Sequence, residues 1–460
     1  MQKEIIKIKE AIIYFFILIF ILILGIGVLK TELQVVLLFS LFFTIGYSMY
    51  KDYSFEFILN CMSKSIINSY EALIIFILIG GIIGMWILSG TIPSLIYYGL
   101  GLLSPKIFLP VGLLVCSLTS VVLGTSWGTI STVGIALIGI GETIGIPLPI
   151  TCGMIVSGAF FGDKISPMSD TTNLVAVTTD TKLHNHISSM LYTTIPAYLI
   201  SLLMYTIIGL NYTAININSE KINLLKDILS SKFEISLITF LPIIIVIILN
   251  FLKKPTIITM FIGIILGGIV SIFIQGNSLK ETLKVINFGY TNSTNIEIVD
   301  KIILRGGIQS MMYTFSLTFL ALSLGGILSE IGYLRIIIES LLKKIKRIGS
   351  LISFTIFSCF ISNLILGEAY LTIILNANLY KDEYKKRGFK TSMLSRTLEE
   401  GGTLTTGLIP WTTAGAFIGA TLPVSVLEYL PFTFFNLVNI VVSIIFSYLG
   451  IFVLKNKKSD

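Results

Sequence analysis

The segment that decides the fold of this chain is GDKISPMSDTTN, residues Gly162–Asn173. It holds two carboxylates, one ammonium group and four side-chain hydroxyls, and the only other charged residue between Ile107 and Thr179 is Glu142. A charged side chain at the centre of a membrane helix costs about 2.5–3.5 kcal/mol, so such a cluster is expected only where it is paired, faces water or binds an ion. The segment is therefore the first candidate for a functional site.

The chain around this segment has the composition of a membrane protein. Of its 460 residues 54% are hydrophobic and 12% are charged, against about 25% charged in a soluble domain. Ala11–Leu29 is long enough to span a bilayer and another apolar run follows it, so we interpret it as a first transmembrane helix and not as a signal peptide. The pattern predicts an all-α polytopic protein with about 11–13 membrane segments, some of them re-entrant or discontinuous. The apolar runs are 11–29, 33–50, 70–90, 107–123, 129–141, 147–161, 186–210, 236–252, 255–275, 303–328, 349–366, 390–409 and 432–454.

The net charge of +7 comes from basic groups in the connections between these runs. By the positive-inside rule they predict that both termini are cytoplasmic. No aromatic platform accompanies them, so no nucleic-acid partner is expected; the lipid bilayer is the expected surroundings, and a homodimer is left open. The basic groups are Lys3, Lys7 and Lys9, Lys253 and Lys254, Lys343 to Arg347, Lys381 to Lys390, and Lys455 to Lys458.

The remaining candidates for metal or redox chemistry are few. The four cysteines are isolated, with no paired spacing, and are interpreted as reduced packing residues. His184 and His186 lie beside a basic loop, where a solvated position is the favoured interpretation. Two histidines without further ligands cannot hold zinc, so no resident metal and no cofactor is expected.

Two polar connections, Asn211–Lys232 and Gln275–Lys301, divide the chain. They predict an N-terminal membrane half over residues 1–210, connecting spans and polar loops over 211–301, and a C-terminal membrane half over 302–460. Each half holds a small-residue motif, beginning at Gly124 or Gly367, that is followed 39 or 33 residues later by a charged cluster beginning at Asp163 or Glu400. Interrupted polar segments in corresponding places of two halves predict an inverted-repeat transporter, although chance similarity of Gly/Thr-rich segments is an alternative.

The first cluster, residues 162–173, has the chemistry of a small-cation site. Pro167 disfavours helix at Ser166, and backbone that is not helical at membrane depth is tolerated only when it is buried in protein or lines a cavity. Oxygen ligands suit a hard cation such as Na⁺, by analogy with Ca²⁺ and Mg²⁺, and Asp163 and Asp170 are the expected carriers. The candidate ligands are Asp163, Ser166, Ser169, Asp170, Thr171, Thr172 and Asn173.

The charge of Lys164 is expected to balance its neighbour Asp163, which leaves the other carboxylate free to bind Na⁺ or H⁺ in turn. The alternative is a solvated turn at the membrane surface, with a helix cap at Ser169 or Asp170. Gly124–Thr129, with Thr125, Ser126 and Thr129, is either an unwound segment that supplies oxygen ligands or a close helix contact. For Glu142, a residue of a turn at the membrane interface and a proton relay are equally favoured interpretations.

The second half supplies a matching set over residues 395–412. Glu368 is polar within an apolar span, as are Asn363 and Tyr370, and Thr403 and Thr405 are the expected counterpart of the first Ser/Thr set. Arg396 and Glu400 are four residues apart, a helical spacing that permits an ion pair, so Arg396, Glu399 and Glu400 are expected to be charge partners. If both clusters meet at the midplane, Asp170 and Thr405 should face one cavity.

Several motifs together resemble the NhaC family of sodium/proton antiporters. They are GTSWGT, GETIGIP, SGAFFGDKISPMSDTTNL, YTTIP, LSRTLEEGGTLTTGLIPW and YLPFTFFN, which occur in order over most of the chain. The resemblance implies the inverted-repeat fold of the ion-transporter superfamily, with re-entrant hairpins, and export of Na⁺ driven by entry of H⁺. Members that resemble this group also include malate/lactate exchangers and amino-acid carriers.

Three positions depart from the family pattern and put the transported species in question more than the fold. Glu368 stands where Asp is common, Gly407 replaces a usual Pro, and Thr412 replaces a usual Asn. The alternative function is a Na⁺- or H⁺-coupled carrier of a small organic anion or an amino acid. An enzyme is not expected, because a membrane hydrolase would need a Ser/His or metal dyad, and a channel is disfavoured because each half holds one asymmetric cluster.

Overall fold

The protein is built from helices. The computed structural model describes residues 8–102, 104–212, 219–252, 254–294, 296, 299–300 and 303–455. Within these ranges there is no strand, and one isolated bridge joins Phe389 to Lys455. The predicted all-α class is confirmed. The basic residues that lie outside the described ranges are Lys3, Lys7, Lys253, Lys301, Lys457 and Lys458.

The α-helices are numbered in chain order. They are α1 (Ile8–Leu22), α2 (Leu33–Tyr50), α3 (Phe55–Asn68), α4 (Tyr70–Leu88), α5 (Thr91–Leu102), α6 (Pro105–Leu123), α7 (Ser126–Thr129), α8 (Ile135–Thr143), α9 (Leu148–Ile165), α10 (Asp170–Thr178), α11 (Leu183–Asn211), α12 (Ser219–Lys232), α13 (Leu241–Phe251), α14 (Thr256–Phe273), α15 (Leu279–Phe288), α16 (Met312–Ile331), α17 (Tyr333–Leu342), α18 (Ile348–Leu366), α19 (Ala369–Lys386), α20 (Thr391–Leu398), α21 (Leu404–Thr406), α22 (Thr413–Thr421), α23 (Val426–Tyr429) and α24 (Phe434–Leu449). Single π-helical turns occur at Ile23–Val28, Ile130–Gly134 and Glu399–Thr403.

The helices confirm a polytopic membrane protein. In the described part of the chain, 9 helices are long and apolar enough to cross a bilayer, or up to 11 if each of two sharply bent pairs is one span. The sequence predicted about 11–13 membrane segments, so the upper count of 11 spans equals the lower limit of that prediction. Three predicted runs, 129–141, 390–409 and 432–454, correspond to helices that are short, charged or interrupted by a π turn. Large apolar side chains such as Phe16 and Leu118 are exposed, as expected where lipid covers them.

Two stretches of the chain have the same order of helices and breaks. We call α6 to α11 the first unit and α18 to α24 the second unit. In each unit a long helix ends at a glycine with positive φ, Gly124 (φ 69°) or Gly367 (φ 70°), and an extended residue follows. That residue is Thr125 (φ −154°) or Glu368 (φ −147°), and it begins a helix that returns to the face where the hairpin started.

Each unit then has a broken span. In the first unit the break lies between α9 and α10, and in the second it lies between α21 and α22. The helix after the break is 9 residues long in both, and a hydroxyl caps it: Ser169 accepts a hydrogen bond from the amide of Thr172, and Thr412 accepts one from the amide of Gly415. The units therefore share a detailed backbone plan.

The two units are inverted in the membrane. After its break, α10 leads to Asp180, which pairs with Lys381 near the end of the second unit's hairpin. After its break, α22 ends at Thr421, which lines one cavity together with Gly139 near the end of the first unit's hairpin. Each broken span thus ends on the face from which the other unit's hairpin enters, which is the arrangement of an inverted-repeat transporter.

Several basic segments meet at one face of the protein. Arg387 donates hydrogen bonds to the carbonyls of Ile345 and Lys346, and the amide of Lys390 donates to Leu454, so three basic segments meet at one face. We call this the basic face. The opposite face carries the start of α6, the turn after α8 and the end of α11, where Gly209 packs on the backbone of Lys106.

Small residues allow α6 and α9 to pack closely. A Cβ atom at Gly158 would lie 2.8 Å from the carbonyl oxygen of Leu113, and one at Gly162 would lie 2.5 Å from that of Ser117. Close approach of this kind brings two backbones into direct van der Waals contact, which is how membrane helices associate. This contact fixes the end of α9, where Asp163 and Lys164 lie.

We predict that Gly158→Ala lowers the stability of the detergent-solubilised protein by about 1–3 kcal/mol, because the added methyl group overpacks a backbone contact. The matched control is Gly46→Ala on α2, where an added Cβ would meet no atom within 4 Å. Thermal unfolding followed by native tryptophan fluorescence measures both variants. Equal unfolding temperatures for the two variants would contradict the proposed packing.

Candidate ion-binding site

One polar cavity lies where the two units meet. Its volume is about 160 Å³, and both hairpin tips and both broken spans contribute to its wall. The helices α3, α4 and α14 close it from the side. The lining residues are Asn68, Ser69, Glu71, Ala72, Ile75, Thr125, Ser126, Trp127, Phe160, Asp163, Asp170, Thr171, Thr256, Glu368, Ala369, Tyr370, Thr403, Thr406, Thr413 and Ala414.

The charge of the cavity wall has one sign. Four carboxylates line it, those of Glu71, Asp163, Asp170 and Glu368, and among the described lining residues there is no basic side chain. Asp163 is 7% exposed and Glu368 is 6% exposed. Asp170 and Glu71 are exposed. Carboxylates that line one cavity repel one another, so the site favours a cation or a bound proton.

Helix N-termini converge on the same cavity. The first residues of α7, α10, α19 and α22 are Ser126, Asp170, Ala369 and Thr413, and all four line it. The positive end of a helix dipole stabilises negative charge within the first turn. Glu368 uses this directly, because its carboxylate accepts a hydrogen bond from the amide of Tyr370. The helix ends thus stabilise the carboxylates that a cation would need.

Asp163 is held by the hairpin tip of its own unit. The hydroxyl of Ser126 donates a hydrogen bond of 2.7 Å to Asp163 Oδ2. Gly124 makes this approach possible, because a Cβ atom there would lie 2.9 Å from the backbone carbon of Met168. In the second unit the amide of Thr413 donates to the carbonyl of Gly367 at 2.9 Å. Each hairpin tip is therefore joined to the break of its own unit.

Lys164 was predicted to balance Asp163, and this prediction is wrong. Its ammonium lies 3.7 Å from Glu400 Oε1 and donates a hydrogen bond of 2.8 Å to Asn439 Oδ1, and both charged side chains are fully buried. Consecutive residues on a helix point about 100° apart, so Lys164 faces away from the cavity that Asp163 enters. Glu400 also accepts hydrogen bonds of 2.5 Å from Thr193 and Ser443.

Arg396 was predicted to form an ion pair with Glu400; the two charges interact electrostatically, but their charged atoms do not approach within 4 Å. Its guanidinium donates to the carbonyl oxygens of Ser189 (3.4 Å) and Phe452 (3.3 Å). The π turn at Glu399–Thr403 begins directly after α20, so the i, i+4 spacing of a regular α-helix does not continue to Glu400. Arg396 instead ties the second unit to α11.

Glu399 lies behind the cavity wall. Its Oε1 accepts a hydrogen bond of 3.2 Å from Thr171, which lines the cavity, and its Oε2 lies 3.9 Å from His186 Nε2. The prediction of a solvated loop is wrong for His186, because α11 begins at Leu183 and turns this side chain toward Ser395, 2.8 Å away. His184 is exposed, as predicted.

The sequence-predicted residues divide into two groups. Those that line the cavity are Thr125, Ser126, Asp163, Asp170, Thr171, Glu368 and Thr403. The others use their polar atoms inside the fold: Ser166 donates to Val121, Thr172 to Lys164, Asn173 to Pro167, Thr129 to Thr125, and Thr405 to Gly401, while Ser169 caps α10. Asp170 therefore faces the second cluster through Thr403 and Thr406, and Thr405 is turned away from the cavity.

Several residues of the site were missed from the sequence. Glu71 lines the cavity at the start of α4, and Asn439, Thr193 and Ser443 surround the buried Lys164–Glu400 pair. The polar sequence Asn68-Ser69 directly before an apolar run was a signal for Glu71. Asn439 carried a weaker signal, as one of two asparagines within an apolar helix. Glu142, left open between two roles, lies 3.8 Å from Arg305.

We predict that Glu400→Gln destabilises the protein by about 3–5 kcal/mol, because it leaves the buried Lys164 ammonium without its counter-charge. The double variant Lys164→Met/Glu400→Leu removes both charges and should recover much of this loss. Unfolding temperatures in detergent measure both. A double variant less stable than Glu400→Gln would contradict the pairing of these two groups.

Comparison with known proteins places the chain in a family. The Na⁺/H⁺ antiporter family profile matches residues 158–451. A malate-2H⁺/Na⁺-lactate antiporter of Bacillus subtilis is 36% identical, over 94% of this chain and 92% of its own length. The Na⁺/H⁺ antiporter NhaC of Alkalihalophilus pseudofirmus is 37% identical, over 94% and 93%. The arginine/ornithine antiporter ArcD of Halobacterium salinarum is 33% identical, over 93% and 88%. With one profile over more than half of the chain and relatives along nearly its whole length, the chain belongs to the Na⁺/H⁺ antiporter family of the NhaC type.

Proposed function

We propose that this protein is a secondary Na⁺/H⁺ antiporter that exports Na⁺ in exchange for H⁺. The observation that carries the proposal is the cavity between the two units, with four carboxylates and no basic side chain in its described wall. Family membership and the relatives named as Na⁺/H⁺ antiporters support the same function.

The proposed site uses carboxylates from one unit and hydroxyls from both. Asp163 and Asp170 carry the cation, with Ser126 and Thr171 as neighbouring oxygen ligands and Thr403 from the second unit. A proton on either aspartate removes an anionic ligand, so Na⁺ and H⁺ compete for the same groups. This competition provides exchange without a cofactor or a covalent step.

The membrane orientation follows from charge. The basic face holds Lys343 to Arg347 and Lys381 to Lys390, and by the positive-inside rule we place it in the cytoplasm of a bacterium.

The helix α16 supports a route from the ion cavity to the basic face. It starts near Met311 at the opposite face, is about 30 Å long, and ends next to Glu330. A cavity beside Glu330 and Lys64 shares Asn68 with the ion cavity, so the ion cavity opens toward the basic face.

A second candidate function is a carrier of a small organic acid or an amino acid coupled to Na⁺ or H⁺. The relatives named for malate/lactate and arginine/ornithine exchange favour it. Four carboxylates repel an anionic substrate unless a cation binds with it, so transport of malate or lactate requires Na⁺ in the same cavity, whereas arginine and ornithine bring a positive charge of their own. Proteoliposomes that contain the purified protein distinguish the two: Na⁺-driven pH change alone supports the antiporter, and uptake of labelled malate, lactate or arginine supports the carrier.

We predict that Asp170→Asn abolishes Na⁺-driven pH change while the protein still inserts and folds, because the neutral amide removes an anionic ligand without a change in size. Asp163→Asn should also fold, since Lys164 takes its counter-charge from Glu400. The measurement is the fluorescence of a pH dye inside proteoliposomes after a Na⁺ pulse. Undiminished exchange by Asp170→Asn would remove this residue from the site.

Asp180→Asn is the matched control, because Asp180 lies just after the same short helix but outside the cavity. Lys381, which donates a hydrogen bond to it, holds the pKa of the Asp180 carboxyl below its ordinary value. This carboxyl therefore stays ionised at neutral pH and takes no part in proton exchange. The control variant should transport at the rate of the unchanged protein.

We predict that the apparent affinity for Na⁺ weakens as pH falls, by up to about tenfold per pH unit once the shared carboxylates are protonated, because one proton competes with one cation. The measurement is the Na⁺ concentration for half-maximal exchange from pH 6 to pH 9. A constant value over this range would indicate separate sites for the two ions.

A further inference from the structure

A second cavity lies at the opposite face. Its volume is about 230 Å³, and it is lined by Ile83, Ile87, Ile92, Ile135, Gly139, Leu304, Arg305, Gly306, Ser310, Met311, Ala420, Thr421 and Pro423. Three helical segments run from the ion cavity to this one. They are α4, the continuous segment α7 to α8, and α22. On α22, Thr413 lines the first cavity and Thr421 the second, a separation of about 12 Å along the helix.

Each of the three segments that join the cavities contributes one ring to an aromatic stack. The rings of Trp127 and Phe417 are stacked with centroids 4.4 Å apart, and the ring of Phe76 is stacked with Trp127 at a centroid distance of 6.1 Å. Phe76 and Phe417 are 0% and 1% exposed, and Trp127 lines the ion cavity. Phe417 stands three residues after Ala414 of the ion cavity and three before Ala420 of the second cavity, midway between them.

Each ring stands on a different helix. Trp127 follows the hairpin tip of the first unit, Phe417 follows the break of the second unit, and Phe76 lies on α4. The stack therefore holds only while α22 and α7 keep their present positions. Residues 407–412, which precede α22, have no α-helix in the structure, so a movement of α22 about this break would separate the rings.

We infer that Phe76, Trp127 and Phe417 form the barrier that closes the ion cavity from the opposite face, and that the second cavity is the outer end of the transport route. This inference rests on the proposed function. Stacked apolar rings exclude a hydrated ion, since an apolar constriction in a pore loses its water. The structure thus corresponds to a state that is open to the basic face and closed to the opposite face.

Cysteine labelling tests the route without any need for transport. In a background with the four native cysteines replaced by alanine, Asn68→Cys reports the ion cavity and Thr421→Cys reports the second cavity. Each is treated with a membrane-impermeant thiol reagent from one side of oriented vesicles. We expect Asn68→Cys to react from the basic face and Thr421→Cys from the opposite face. Reaction of Thr421→Cys from the basic face would overturn the barrier.

Removal of the rings tests the barrier itself. Trp127→Ala/Phe417→Ala should raise the passive leak of labelled Na⁺ by about tenfold or more, because two buried rings no longer block the route. It should also let Thr421→Cys react from both faces. Phe417→Leu is the milder variant if the double variant does not fold, and a smaller leak is expected. A leak equal to that of the unchanged protein in the folded variant would overturn the inference.

The matched control is Phe161→Ala, which breaks a different aromatic stack. The ring centroids of Phe161 on α9 and Tyr198 on α11 lie 3.8 Å apart. Neither helix is one of the three segments that join the two cavities. The control should show no added leak, and a leak as large as that of the double variant would mean that any loss of packing opens the protein. If the unchanged protein drives no pH change with Na⁺, the proposed function fails, while the labelling result still decides the position of the barrier.

Discussion

A backbone amide or carbonyl at membrane depth costs several kcal/mol when it has no hydrogen-bond partner. Four chain breaks occur near the centre of this protein, two at hairpin tips and two within broken spans. The fold brings each tip against the break of its own unit, as Gly367 accepts from Thr413, and brings the two pairs together around one cavity. The backbone groups at these breaks thus have hydrogen-bond partners. The same helix ends form a polar cavity wall that also accommodates charged side chains. The position of the site follows from this constraint.

The two units are also joined by charge at a place outside the lining of the ion cavity. Lys164 comes from the first unit and Glu400 from the second, and Thr193, Ser443 and Asn439 complete the hydrogen bonds of the pair. A fully buried pair of this kind is weak evidence for stability, but it fixes one relative position of its partners. We interpret it as the contact that holds the first broken span in one position against the second unit, without use of the carboxylates that line the cavity.

The sequence predicted the class of fold and the two breaks because both depend on local composition. Long apolar runs and the cluster at Gly162–Asn173 are visible without any structure, and seven of the thirteen proposed ligands line the cavity. The partners of Lys164, Arg396 and His186 were mispredicted for a common reason. Each partner lies on another helix or beyond a π turn. The spacing of residues along the chain does not show how one helix is rotated against the next. It also does not show where one extra residue widens a helical turn into a π turn. Glu71 was missed because its helix belongs to neither repeated unit.

The two units share a backbone plan, yet they do not place charge at equivalent positions. The extended residue after the hairpin tip is Thr125 in the first unit and Glu368 in the second, whereas the first residue after the hydroxyl cap is Asp170 in the first unit and Thr413 in the second. Each unit therefore contributes one carboxylate from a helix start, but from a different one. A perfect duplicate would present the same ligands to an ion arriving from either side of the membrane. Here the repeat relates an acid to a hydroxyl, so the two sides of the cavity are chemically distinct even though the helices that form them follow one plan.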